Sequence, residues 1–286
     1  RIWDMYHTKA HINLIVCGSI FSMMTKIFKD KKEPLYNRQT RFMSIKPFTP
    51  AVLKEIMAEY NPNYTSEDLL ALYSFTGGVA KYVQLLVDAG ATTKTKMLNH
   101  IIKADSVFLG EGKAILIEEF GKDYGVYFSI LSAIARGKTL RSEIEQIVGR
   151  EIGGYLTKLE KEYEVITKNQ PIFEKSSTKN VRYTIEDNFF TFWFRFIYKY
   201  NYMLEIENYD AVKTIINRDY ETFSGKMLER YFKRVLMESK AYTRIGSWWD
   251  RKGENEIDIV AENELNDEAV FIEVKRKEDN FDAIAL

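Results

Sequence analysis

Two alternating segments near the C-terminus, Glu256 to Ala261 and Ala269 to Lys275, leave a chain little choice of local structure. A period of two fits a half-exposed strand and no helix. It puts Glu256 and Asp258 on one face, with Ile257 and Ile259 on the other. In the second segment it puts Glu273 and Lys275 side by side. Two such strands as neighbours would present Asp258, Glu273 and Lys275 together at the mouth of a sheet. Carboxylates so placed can hold Mg²⁺, which takes oxygen ligands and keeps several waters. The ion can polarise a phosphodiester while the lysine orients water or neutralises developing charge. Glu229, on a preceding helix from Gly225 to Leu236, supplies a further acid. The plainer alternative is the polar face of an exposed sheet that holds no metal.

Composition narrows the remaining classes. The 286 residues are 45% hydrophobic and 29% charged, the profile of a globular chain, and the length calls for two or more packed units. Forty-one Lys and Arg balance forty-one Asp and Glu, which argues against gripping nucleic acid by bulk electrostatics. Residues 220–286 alone carry 11 basic and 15 acidic side chains, a surface that repels phosphate unless a metal or basic neighbour intervenes. The single cysteine, Cys17, excludes a disulfide framework and a cysteine-rich zinc site. The longest apolar runs are far short of the roughly 20 residues that span a bilayer, so the expectation is a cytoplasmic protein with no membrane partner. The chain opens at Arg1 and stops at Leu286 inside what reads as the start of a helix, so both ends read as cut.

The pattern predicts five segments. Residues 1–46 read as part of an α/β core, with short strands at Leu14–Cys17 and Phe42–Ile45 flanking a Met- and Phe-rich helix. Residues 47–112 turn helical: Thr49-Pro50 and Thr65 to Asp68 are helix starts, and Gly77-Gly78 a break. Residues 113–187 give three helices and a β-hairpin, the order of a winged helix. Residues 188–219 form an aromatic-rich helical connector, in which the run from Phe189 to Tyr200 reads as core rather than as a stacking platform for bases. Residues 220–286 hold the helix and strands described above, cut short at the end.

The C-terminal set resembles the PD-(D/E)XK nuclease fold, with Asp258 at the motif aspartate, Glu273 and Lys275 at Glu-x-Lys, and Glu229 at the helix acid. It departs from that pattern in having no proline before the aspartate. Asn13 to Ser19 resembles the sensor-1 strand of archaeal-type AAA+/STAND ATPases, with Ser19 as its polar residue. Leu35 to Arg41 resembles their "LYGR" segment, with Asn37 in place of glycine and Arg38, or else Arg41, as the charge-neutralising arginine. Phe75 to Tyr82 resembles the lid segment, with Ala80 in place of proline. The resemblance implies a partial P-loop ATPase core, a helical lid, a winged helix and a restriction-endonuclease-like end. Ser19 as a strand-end turn serine and Arg38 as a surface arginine are equally consistent with the residues.

One absence weighs against nucleotide binding by this chain. No G-x-x-x-x-G-K-[ST] loop occurs, and Gly110 to Lys113 has the wrong spacing. In the family that loop lies upstream, so ATP is expected in a longer parent protein and not bound tightly here. The expected partners are nucleic acid, at the acidic site with Mg²⁺ or through the wing, and other protein domains or a second copy through the winged helix. A catalytically inactive scaffold and a winged-helix DNA regulator are the competing readings.

Overall fold

The computed structural model describes residues 14–18, 21–175 and 178–277 and divides the chain into two units, residues 1–42 and 43–286. In the first unit a helix, α1, runs over Phe21–Lys29 with Lys26 and Lys29 in its last turn, where cations suit the helix dipole. Asn37 takes the left-handed conformation at φ 54°, and its N–H donates to the Phe28 carbonyl at 3.1 Å, which folds the loop back onto the helix. The strands expected at Leu14–Cys17 and Phe42–Ile45 do not form. Neither segment is paired among the described residues, and Ile15 and Ile45 are 88% and 85% exposed. A parallel strand is stable only between neighbours that take its N–H and C=O groups, and none is described here. The parallel α/β core is therefore absent from the described residues. Among the described residues the fold is mixed, mostly helical, with two small antiparallel sheets.

The second unit begins where its sequence signals lie. Thr49 caps α2 (Pro50–Tyr60) by accepting the Val52 N–H, with Pro50 in the first turn. Thr65 and Asp68 form a reciprocal capping box at the start of α3 (Ser66–Thr76), which is buried from Asp68 to Thr76. Gly77 and Gly78 close it at φ 61° and 79°. A Cβ on Gly78 would lie 2.5 Å from the Phe48 carbonyl oxygen, so only glycine fits that turn. Then follow α4 (Ala80–Asp88), α5 (Lys94–Ile101) and α6 (Val107–Phe120). Three further helices, α7 (Tyr124–Ala135), α8 (Arg141–Val148) and α9 (Gly153–Lys161), precede the antiparallel hairpin β1 (Ile166–Asn169) and β2 (Arg182–Ile185).

The aromatic run is core. Phe189, Phe192, Phe194 and Phe196 are at most 1% exposed, packed with Phe75, Phe128 and Phe223. It starts as α10 (Asn188–Phe192), widens into a π-helix over Trp193–Tyr198, and continues through α11 (Asn201–Glu205). One hydrophobic cluster extends from Leu53 to Met227. A single 31-residue helix, α12 (Tyr209–Ser239), crosses the boundary expected at 219/220. It leads to the antiparallel sheet β3 (Arg244–Trp249), β4 (Glu256–Asn263) and β5 (Glu268–Ile272), in that order. No helix among the described residues is long and apolar enough to cross a membrane.

Two measurements test this packing. The Trp193 indole donates to the Leu109 carbonyl at 3.0 Å and lies over Gly112, where a Cβ would stand 2.5 Å from the ring. Gly112→Ala is expected to lower stability by roughly 1–3 kcal/mol in urea unfolding, through overpacking. Asp187 caps α10 by accepting the Phe190 N–H at 3.0 Å, and burial pushes its carboxyl up to about 6 against the pull of the Phe190 and Phe189 N–H groups and Arg230. An unfolded aspartate titrates near ~3.9, so the folded state holds this proton more tightly. The stabilisation from that proton is complete below about pH 4 and is lost as the pH rises through about 6. Asp187→Asn, which can still accept the Phe190 N–H, is expected to flatten that part of the stability profile in urea titrations across this window.

Candidate functional site

On α12 the spacing of three, four and seven residues puts Lys226, Glu229, Arg230 and Lys233 along one face. The helix packs against β3 and β4. Lys226 Nζ lies 2.9 Å from the Glu229 carboxylate and 4.0 Å from that of Glu256 on β4. Glu256 in turn accepts from Arg182 of β2 at 2.9 Å. Two residues on from Glu256, half-buried Asp258 takes the Val274 N–H on Oδ2 at 2.9 Å. Glu273 and Lys275 form an ion pair with each other.

The strand expected to reach Lys275 stops at Ile272, which pairs with Ile259. The next facing pair would be Asp258 and Glu273. There a side-chain oxygen of Asp258 accepts an N–H from the incoming segment, and regular pairing ends. Glu273 and Lys275 thus lie just beyond the sheet, at its mouth.

The four residues named from sequence share one electrostatic neighbourhood, since charges among them act on Asp258, Glu229 and Lys275. Burial raises the Asp258 carboxyl, the Val274 N–H opposes this, and the Glu273 charge adds to the rise. Burial also raises Glu229, opposed by Lys226 and reinforced by Asp258 and Glu256. Burial pulls Lys226 down, but Glu229, Glu256 and Asp258 outweigh it and its pKa is raised. Lys275 is raised first by its bond to Glu273, with Asp258 and Glu229 contributing. Negative charge exceeds positive here, and Glu229 and Asp258 show it as raised proton affinity. Among the described residues no group of three or more His, Cys, Asp and Glu side chains could hold a metal ion. The oxygen donors nearest to such a role are the pair Asp258 and Glu273.

Sequence reasoning missed the role of three residues. Lys226 was legible from its spacing three before Glu229, and Glu256 from alternation with Asp258. Arg182 carried no signal, because it joins the site from 74 residues away. It arrives with the hairpin. Trp249 Nε1 donates to Asn180 Oδ1 at 2.9 Å, the Arg182 guanidinium stands 4.5 Å from the Trp249 ring, and the Ile172 N–H donates to the Ser247 carbonyl at 2.9 Å. Of the N-terminal candidates, Arg38 and Arg41 are exposed on the loop after α1, and Ser19 lies outside the described residues.

Residues 193–284 match a family of archaeal and bacterial proteins of unknown function. An uncharacterized protein of Methanocaldococcus jannaschii is 32% identical over 293 aligned positions, which cover 97% of this chain and 63% of the relative. The chain thus spans less than two thirds of that relative's length. No solved structure matches the chain.

The hydrogen bond that ends the sheet is open to measurement. Asp258→Ala strands the half-buried Val274 N–H and is expected to cost about 1 kcal/mol in urea unfolding. Asp258→Asn keeps an acceptor oxygen, relieves the repulsion from Glu273, and is expected to cost less than half as much.

Proposed function

We propose that residues 209–277 form a Mg²⁺-dependent nuclease-like effector module, carried in the parent protein by an AAA+/STAND-like ATPase. The observation that carries this is the convergence of Glu229, Asp258, Glu273 and Lys275, from one helix, one strand and one strand end, into a cluster in which neighbouring charges act on Glu229, Asp258 and Lys275. That is the set of roles the Asp…Glu-x-Lys resemblance assigns.

The donor chemistry fits the ion. Asp258 and Glu273 are neighbouring oxygen donors whose like charges repel, and Mg²⁺ is commonly held by one or two carboxylates with waters completing its shell. When bound, the ion would polarise a phosphodiester and lower the pKa of a coordinated water. Asp258 keeps Oδ1 for such a ligand while Oδ2 holds the Val274 N–H. Lys275 exchanges its bond to Glu273 for the phosphate or the attacking water, and so carries positive charge to where negative charge develops. Glu229, whose carboxyl is raised by burial above its ordinary range, stands beside Lys226 as the helix acid of the set. In the parent protein, ATP hydrolysis would rearrange the lid and winged helix, with Arg38 or Arg41 neutralising phosphate charge.

A second reading is an inactive nuclease-fold scaffold. It is favoured by the self-satisfied state of the cluster, in which Asp258 is bonded to Val274 and Glu273 to Lys275. The hairpin's contacts with β3 and β4 favour domain coupling for the winged helix over operator reading.

Incubating the complete protein with Mg²⁺ and plasmid or single-stranded DNA separates these readings. Cleavage that EDTA abolishes, and that Lys275→Ala lowers by roughly 10²–10³-fold, is the expected result. Equal cleavage by both proteins disposes of the site, and no cleavage by either favours the scaffold.

A further inference from the structure

We infer that Arg276 is a positioning residue that ties the Glu273–Lys275 segment to the first turn of α3, so that the helical core sets where these side chains stand. What the positioned side chains do rests on the nuclease reading; the tie itself does not.

Backbone pairing ends at Ile272, so the residues that carry Glu273 and Lys275 need another anchor. Among the described residues three contacts hold them to the rest of the unit. The Val274 N–H reaches Asp258, Lys277 pairs with Glu221 at 2.7 Å, and Arg276 binds the helices. The Lys277 pair is exposed on both sides, at 61% and 54%, and contributes little. Arg276 is different in kind. Its Nη1 donates to Ser224 Oγ at 2.6 Å, its Nη2 to Glu67 Oε2, and its guanidinium stands 5.3 Å from the Tyr220 ring. Ser224 is fully buried, and the Arg276 side chain is 18% exposed. A planar fork holding one neutral and one charged acceptor beside an aromatic ring suits arginine and cannot be copied by lysine.

The far end of the tie is rigid. Glu67 also pairs with Lys94 at 3.3 Å, and the Lys94 ammonium stands 4.6 Å from Tyr220. Next in sequence, Asp68 closes the capping box and accepts the Lys94 N–H at 2.8 Å. The contact joins residues 209 positions apart, and Arg276 directly follows Lys275. A shift of α3 against α12 therefore pulls on the residue next to Lys275, which gives the region read as a lid a physical route to the candidate site.

Hydrogen–deuterium exchange on the whole chain decides this without reference to catalysis. In Arg276→Met, amide exchange over residues 273–277 is expected to rise about tenfold, while exchange within α3 stays unchanged. Arg276→Lys should recover only part of the protection. Glu67→Gln, which leaves Arg276 in place, should act in the same direction, and the double variant should add little, because both remove one contact. Unchanged exchange in Arg276→Met overturns the inference, as do fully additive effects or an equal rise from Lys277→Met. In the DNA-cleavage assay the tie predicts a lower kcat with KM near that of the unmodified protein. If that protein does not cleave, the nuclease reading fails and the exchange data still decide the tie.

Discussion

Between Val212 and Met227 helix α12 buries Val212, Ile216, Tyr220, Phe223 and Met227 in the aromatic core, and the same helix packs against strands β3 and β4 of the C-terminal sheet. A continuous helix is a stiff spacer, rising about 1.5 Å per residue, so the seating of Phe223 and Met227 also determines where Lys226, Glu229 and Arg230 stand. Arg230 extends this by donating to Asn188, whose side chain donates to the Tyr73 carbonyl of α3. The helix face that carries Glu229 is thereby referenced to α3, which is buried from Asp68 to Thr76. The sheet's own buried residues, Trp249, Ile259, Val260 and Ala261, lie outside the main cluster and depend on α12 and the hairpin for cover.

Charge at the candidate site is arranged as a relay of alternating sign. Arg182, Glu256, Lys226 and Glu229 follow one another, each within 4.0 Å of the next. Asp258 and Glu273 stand beside this relay, with Lys275 paired to Glu273 and both Lys226 and Lys275 acting on Asp258. Such a cluster is satisfied at rest and still acidic in balance, which suits a cation that arrives with a substrate. The same satisfaction would serve a scaffold that never binds one. Both readings use the same residues, and they differ in whether Lys275 leaves Glu273.

Much of the local structure was legible because its causes are local. Thr49-Pro50, the Thr65–Asp68 box and the Gly77-Gly78 turn each act within a few residues, and each stands where its chemistry requires. The strand over β4 was legible for the same reason, although its burial does not alternate, with Ile259, Val260 and Ala261 all buried under α12 and the hairpin; so was the burial of the aromatic run, since Phe189 to Ile197 offers apolar groups to every side. The strands expected near Cys17 and Phe42 failed because an apolar run specifies a buried strand only when neighbours supply hydrogen bonds. The early end of β5 was hidden as well, because it depends on Asp258 accepting an N–H from Val274, 16 residues away.

The sequence by itself determined which residue types could do chemistry and on which side of each element they lie, since helical and strand periods are properties of the backbone. It named Glu229, Asp258, Glu273 and Lys275. Tertiary structure decided that these four share one electric field, that Arg182 and Lys226 join them, and that Arg276 binds their strand end to a helix 209 residues away. Those facts depend on long-range packing of a helix, a sheet and a hairpin, and on charge interactions that fall off with distance in space and take no account of separation along the chain.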